Sequence, residues 1–108
     1  GAPVTHWKYY DSIYTERYMK LPSENPEGYE STAPLTHAAK LGPKLLVVHG
    51  TADDNVHMQQ SIAFADALNT ARKEYAFVPF AGMKHGPRDR ATRHAVHQRL
   101  VSFFEENL

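Results

Sequence analysis

The sequence predicts an α/β fold: a partial parallel sheet with flanking helices, of the three-layer αβα type. Three observations carry this expectation. Leu45-Leu46-Val47-Val48 is a continuous apolar run with β-branched residues at its end, bounded by Gly42-Pro43 and Gly50, the pattern of a strand buried on both faces. Tyr75-Ala76-Phe77-Val78-Pro79-Phe80 is a second such run. Amphipathic helical spacing lies between the two and again after the second, and strand-helix-strand-helix alternation means parallel strands joined by right-handed crossovers.

The elements follow in order. The first 43 residues are aromatic and turn-rich, with Trp7, Tyr9, Tyr10, Tyr14, Tyr18 and Tyr29 among Pro22, Pro26, Pro34 and Pro43. Tyr10, Ile13 or Tyr14, and Tyr18 recur every three to four residues, which predicts a short helix from about Tyr9 to Met19. A second short helix is expected from Pro34 to Lys40. After the Leu45 to Val48 strand, Met58, Ile62, Ala65 and Leu68 share one helical face, with Gln59, Gln60, Asp66 and Asn69 mostly elsewhere. In the second strand Pro79 lies near the end, where a missing donor is tolerable, and Gly82 marks the turn. A loop from Met83 to Arg88 precedes a C-terminal helix from about Arg90 to Glu106, whose apolar positions are Val96, Leu100 and Phe103 or Phe104.

Two strands are fewer than the five or so of an ordinary sheet. The remaining strands are therefore expected upstream, where Gly1-Ala2-Pro3-Val4 reads as the tail of another strand. Residues 1–108 are accordingly read as the C-terminal portion of a larger domain. An unpaired edge on the Leu45 to Val48 strand predicts self-association into a homo-oligomer.

Composition excludes several function classes. Twelve basic and twelve acidic residues give a formal net charge of zero, so no long-range field favours nucleic acid or an anionic membrane. There is no cysteine, which removes disulfides and thiolate chemistry. No apolar run approaches the roughly 18 residues of a membrane span.

Working residues of open α/β sheets sit in loops beyond the carboxyl ends of the strands. Two such loops stand out: His49-Gly50-Thr51-Ala52-Asp53-Asp54-Asn55-Val56-His57 after the first strand, and Gly82-Met83-Lys84-His85-Gly86 after the second. Taken singly, Asp and Asn after a strand favour a helix cap, and His-Gly favours a turn. Together, an acid after one strand and a histidine after the next form a pair in which a carboxylate orients an imidazole and stabilises its protonated form. The order acid then histidine agrees with an α/β-hydrolase, where a serine precedes both.

The stretch Trp7-Lys8-Tyr9-Tyr10-Asp11-Ser12-Ile13-Tyr14-Thr15-Glu16-Arg17-Tyr18-Met19, with the Asp53 loop and His85-Gly86, resembles the dipeptidyl peptidase IV branch of the prolyl oligopeptidase family over nearly the whole chain. The resemblance implies a serine-type peptidase that removes Xaa-Pro or Xaa-Ala dipeptides from peptide N-termini. It makes Asp53 the triad acid and His85 the general base. Trp7, Tyr10, Tyr14 and Val56 would line the apolar pocket for the proline ring. Asn55 would hydrogen-bond a substrate carbonyl, or else cap the following helix. The resemblance implies a peptide substrate and no cofactor, and it favours a periplasmic or other extracytoplasmic location.

Departures from the family pattern matter as much. No G-x-S-x-G occurs, and Ser12, Ser23, Ser31, Ser61 and Ser102 lack the flanking glycines of a nucleophile elbow. The family's propeller, its amino-end glutamates and its oxyanion tyrosine are also absent. The isolated chain is therefore expected to be inactive, and a non-catalytic peptide-binding module on the same fold is the alternative. Two other constellations are set aside. His94 and His97 lie three apart on a polar helical face with no carboxylate to complete a metal site. Asp53-x-Asn55-x-His57 has Met58 where a calcium loop requires glycine.

Overall fold

The computed structural model describes residues 1–42 and 44–108, so the predicted Gly42-Pro43 boundary lies partly outside the described residues. Its regular elements are a 3-10 turn at Trp7–Tyr9, helix α1 (Ser12–Met19), helix α2 (Pro26–Ser31), a 3-10 helix (Pro34–Lys40), strand β1 (Leu46–Gly50), helix α3 (Gln59–Thr70), strand β2 (Ala76–Phe80) and helix α4 (Arg90–Asn107). β1 and β2 pair in parallel, in register from Leu46 with Ala76 to Gly50 with Phe80. This is the α/β arrangement the sequence predicts.

Each boundary has a local cause. The expected Tyr9 to Met19 helix is split: after the 3-10 turn, the Asp11 side chain accepts a hydrogen bond from the Tyr14 amide and starts α1. α2 is too short to leave a periodic signal. It begins with Pro26 at the first turn and Asn25 as cap, the Asn25 side chain accepting from the Gly28 amide. α4 starts where Asp89 accepts from the Thr92 amide at 2.7 Å. β1 continues through His49 and Gly50, past the apolar run, because both still pair with β2. Pro79 fits inside the ladder for a simple reason. The Ala76 amide donates to Leu45, so with a period of two the amides of Val78 and Phe80 also face β1, while position 79 faces away.

The core is small and lies on one face of the sheet. Ala38, Val47, Phe64 and Leu68 form its buried centre, with Leu35, Leu41, Leu45, Ala67, Tyr75 and Phe77 packed around them. The α3 face is rotated from the predicted one: Gln60, Ser61, Phe64 and Leu68 are buried and Ile62 is exposed. The polar pair turns inward because both residues have partners there. Gln60 Oε1 accepts from the amides of Thr5 and His6 at 2.8 and 3.0 Å, and the Thr5 hydroxyl donates to the Gln60 carbonyl at 2.7 Å. Ser61 meets His49.

The N-terminal segment lies against β1 without forming a regular strand; the Ala2 amide donates to the Val48 carbonyl at 2.8 Å. Leu45's carbonyl faces β2, so Val48's faces the opposite edge, and Ala2 occupies part of the edge predicted to be open. α4 carries its apolar stripe half-buried at Val96, Leu100 and Phe103, and leaves Phe104 exposed. No residue of β2 or α4 is fully buried. The Cα radius of gyration, 15.0 Å, exceeds the ~13 Å of a compact domain of this length. Among the described residues, no helix is long and apolar enough to cross a membrane.

Candidate active site

The two predicted loops meet at the carboxyl ends of β1 and β2, and two backbone bonds and one to a side-chain hydroxyl fasten them together. The Thr51 amide donates to Phe80, the Ala52 amide to Met83, and the Gly82 amide to the Thr51 hydroxyl, at 3.0, 3.0 and 2.8 Å. Gly50 permits this approach: a Cβ there would overlap the carbonyl oxygens of Met83 and Lys84. Gly82 adopts φ +73°, so the turn before His85 uses a conformation that side chains disfavour.

This fastening brings Asp53 and His85 together. Asp53 Oδ1 accepts from the amides of Asn55 and Val56, both at 2.9 Å. Oδ2 lies 3.0 Å from His85 Nδ1. A carboxylate only accepts, so Nδ1 carries the proton in this pair, and the neutral imidazole presents Nε2 as a base. The Asp53 side chain is buried, while that of His85 is 52% exposed. Burial pushes the Asp53 carboxyl up, but the hydrogen bonds from His85, Asn55 and Val56 outweigh it and hold the group below the usual carboxylate range. Asp53 is thus an anion at neutral pH, aimed at a partly open imidazole. Asp54 points outward, 3.5 Å from Lys84.

The aromatic residues form a row that meets the Asp53 loop at Asn55. Trp7, Tyr10 and Tyr14 pack mutually with ring centroids 5.7 to 6.4 Å apart, and Tyr18 extends the row. The Tyr10 hydroxyl donates to Asn55 Oδ1 at 2.7 Å, which engages the accepting end of the Asn55 amide and leaves Nδ2 as its donor end. Tyr10, Tyr14 and Asn55, with Ile13, Arg17 and Asp54, line an open cleft of about 670 Å³. Trp7 borders a smaller apolar hollow with Tyr14, Thr15, Tyr18 and Met19. Val56 is buried in the Asp53 turn and is not part of either lining. Asn55 does not cap α3, whose preceding residue Met58 makes no side-chain cap bond.

The sequence model of the prolyl oligopeptidase family matches residues 1–108. The chain belongs to the prolyl oligopeptidase family. It is 52% identical over 88 residues to the probable dipeptidyl-aminopeptidase B of Neurospora crassa, covering 79% of this chain and 9% of that protein. To the protein of the same name in Arthroderma gypseum it is 45% identical over 102 residues, 92% of this chain and 11% of that one. The crystal structure of Porphyromonas gingivalis dipeptidyl peptidase 4 superposes with a TM-score of 0.95 at 39% identity, covering 99% of this chain and 15% of that one. The chain thus spans about a tenth of the length of these curated relatives, and its architecture is that of a portion of the α/β-hydrolase fold within the dipeptidyl peptidase IV-like branch of the family.

Three buried polar residues behind the site, of which His49 and Ser61 bear on the Asp53 turn and Gln60 on the Thr5–His6 segment, are not singled out individually by sequence reasoning. His49, Ser61 and Gln60 are buried polar side chains of this family segment, each engaged across the core. Only the position of His49 hints at its role, since a histidine directly continues an apolar strand.

Proposed function

We propose that this chain supplies the acid and the general base of a serine-type dipeptidyl peptidase that removes Xaa-Pro or Xaa-Ala dipeptides from peptide N-termini. The observation that carries this reading is the Asp53–His85 contact of 3.0 Å at the ends of adjacent parallel strands. In this reading the serine comes from sequence outside these 108 residues, because none of the serines here has a nucleophile-elbow context.

His85 Nε2 takes the proton of the serine hydroxyl as its oxygen attacks the carbonyl of the second residue. Asp53 holds the Nδ1–H and stabilises the imidazolium that forms. The imidazolium then gives its proton to the departing amine, leaving an ester on the serine. Water, deprotonated by the same nitrogen, attacks that ester; the imidazolium returns the proton to the serine oxygen as the dipeptide leaves as its acid. Trp7, Tyr10 and Tyr14 supply flat apolar walls for a proline ring, with Val56 beneath the Asp53 turn. Asn55, its oxygen held by Tyr10, offers its amide nitrogen to a substrate carbonyl.

The test is the initial rate on a chromogenic Gly-Pro anilide, using the full-length enzyme that contains this chain. Replacing the acid by its amide, Asp53→Asn, leaves the imidazole in the wrong tautomer and should lower kcat by about 10⁴-fold. The 108-residue chain alone should give no turnover. An undiminished Asp53→Asn enzyme would sink the reading.

A further inference from the structure

His49 is a buried imidazole that the reaction above leaves unused. It sits at the carboxyl end of β1, two residues after Val47 and so on the same face of the strand, which is the α3 side. It is fully inaccessible to solvent. Its Nδ1 lies 2.6 Å from the Ser61 hydroxyl of α3. Its Nε2 lies 2.7 Å from the Val56 carbonyl and 3.3 Å from Asp53 Oδ2.

These partners fix the proton. A carbonyl and a carboxylate both only accept, so Nε2 must carry hydrogen. In the neutral ring Nδ1 then accepts, and Ser61 is the donor. The Nε2–H points chiefly at Val56 and leans on Asp53 as a dipole. Asp53 Oδ2 is therefore faced from two sides: by His85 Nδ1 from the open side and by His49 Nε2 from the interior.

We infer that His49, with its Nε2–H set by the Val56 carbonyl and the Asp53 carboxylate and its ring anchored by Ser61, is a positioning residue for the Asp53 carboxylate, an inference that rests on the Asp53–His85 reading above. It acts in two ways. By gripping the Val56 carbonyl it fixes the turn whose Asn55 and Val56 amides hold Oδ1. By turning an N–H dipole toward Oδ2, where no water enters, it opposes rotation of the carboxylate away from His85. Ser61 matters because its hydroxyl donates to Nδ1 and anchors the ring from α3. Without it Nδ1 is a buried acceptor with no donor, and the ring is less firmly held against Val56 and Asp53. The partners of a working side chain's own partner are known to be tuned in this way in metal sites.

The experiment uses the full-length enzyme, with kcat and KM measured on Gly-Pro anilide and folding followed by circular dichroism and thermal melting. His49→Phe keeps the ring and removes both nitrogens. It should lower kcat by about 10- to 100-fold, the scale on which outer partners act, while KM stays within about twofold, as expected when transition-state rather than ground-state interactions are lost. His49→Gln places an amide nitrogen near the position of Nε2 and should recover most of that loss. Ser61→Ala should lower kcat by about three- to tenfold, at or below the lower end of the same scale. A folded His49→Phe enzyme with unchanged kcat overturns the inference, as does a loss that His49→Gln fails to restore. If His49→Phe does not fold, Ser61→Ala decides: an unchanged kcat overturns the inference. Asp53→Asn, measured alongside, separates the two proposals. If it is fully active the catalytic reading itself fails; if it is inactive while His49→Phe is not, only the positioning role does.

Discussion

The loop after β1 and the aromatic segment 7–19 face the same cleft but are held in opposite ways. In the loop, Asp53 is buried and both of its oxygens are engaged, His49 is sealed in the core, and hydrogen bonds tie the loop to its neighbour at Thr51, Ala52 and Gly82. In the aromatic segment the side chains stand out: Ile13 is 85% exposed, Tyr18 67% and Tyr14 53%. Its rings pack against one another, and it is tied to other segments by the Tyr10 to Asn55 bond and by the Asn25 side chain donating to the Met19 carbonyl. The difference follows from the tasks. In the proposed function Asp53 and His85 handle a proton transfer, which tolerates little misplacement and is served by a rigid strand end. A wall for a ring needs only shape, and its other half can come from elsewhere.

Apart from removal of the Asp53 charge itself, the largest effect expected from this contrast comes from disturbing the loop-to-loop contact. Gly50→Ala places a methyl group against the Met83 and Lys84 carbonyls. These are backbone atoms, so the His85 loop must move away from β1. A displacement of about 1 Å at the reacting groups costs on the order of 10²-fold in rate, and kcat of the full-length Gly50→Ala enzyme should fall on that scale. An unchanged kcat would show that the two loops are not a rigid unit.

Acid should weaken the same loop. The native Asp53 carboxyl is held below its usual range, so the unfolded chain binds more protons in that window. Its contribution is fully present above the unfolded pKa, about 3.9, and is lost as pH falls through the lower native value. Urea midpoints measured from neutral pH to below 4 should therefore fall less steeply for Asp53→Asn than for the unmodified chain. Equal slopes would mean that Asp53's hydrogen bonds do not stabilise the folded state.

Much of this arrangement is legible in the sequence, and the remainder is not for identifiable reasons. The apolar runs around Val47 and Phe77 give the parallel pair, and the meeting of Asp53 and His85 is anticipated because their loops follow adjacent strand ends. The inward face of α3 is misread because polar residues are assumed to face water, whereas Gln60 and Ser61 are buried by partners 55 and 12 residues away in sequence. Such partners are tertiary and leave no periodic trace. The same limit hides His49 behind Asp53, and the brevity of α2 hides that helix. Val56 illustrates the converse case: the motif places it in the pocket, but its backbone is what serves the site, donating to Asp53 and accepting from His49.

The smallest expected effect belongs to the aromatic side. Tyr10→Phe removes one hydroxyl and leaves the ring in its stack with Trp7 and Tyr14. Asn55 Oδ1 loses its donor, but the position is exposed, so water replaces the bond. The net cost of one such hydrogen bond is about 0.5–1.5 kcal/mol. That corresponds to roughly a two- to tenfold rise in KM on Gly-Pro anilide with little change in kcat, the signature of lost binding rather than lost chemistry. A fall in kcat as large as that of Gly50→Ala would reverse the order. Tyr10 would then belong with the rigid loop, holding Asn55 as firmly as the amides of Asn55 and Val56 hold Asp53.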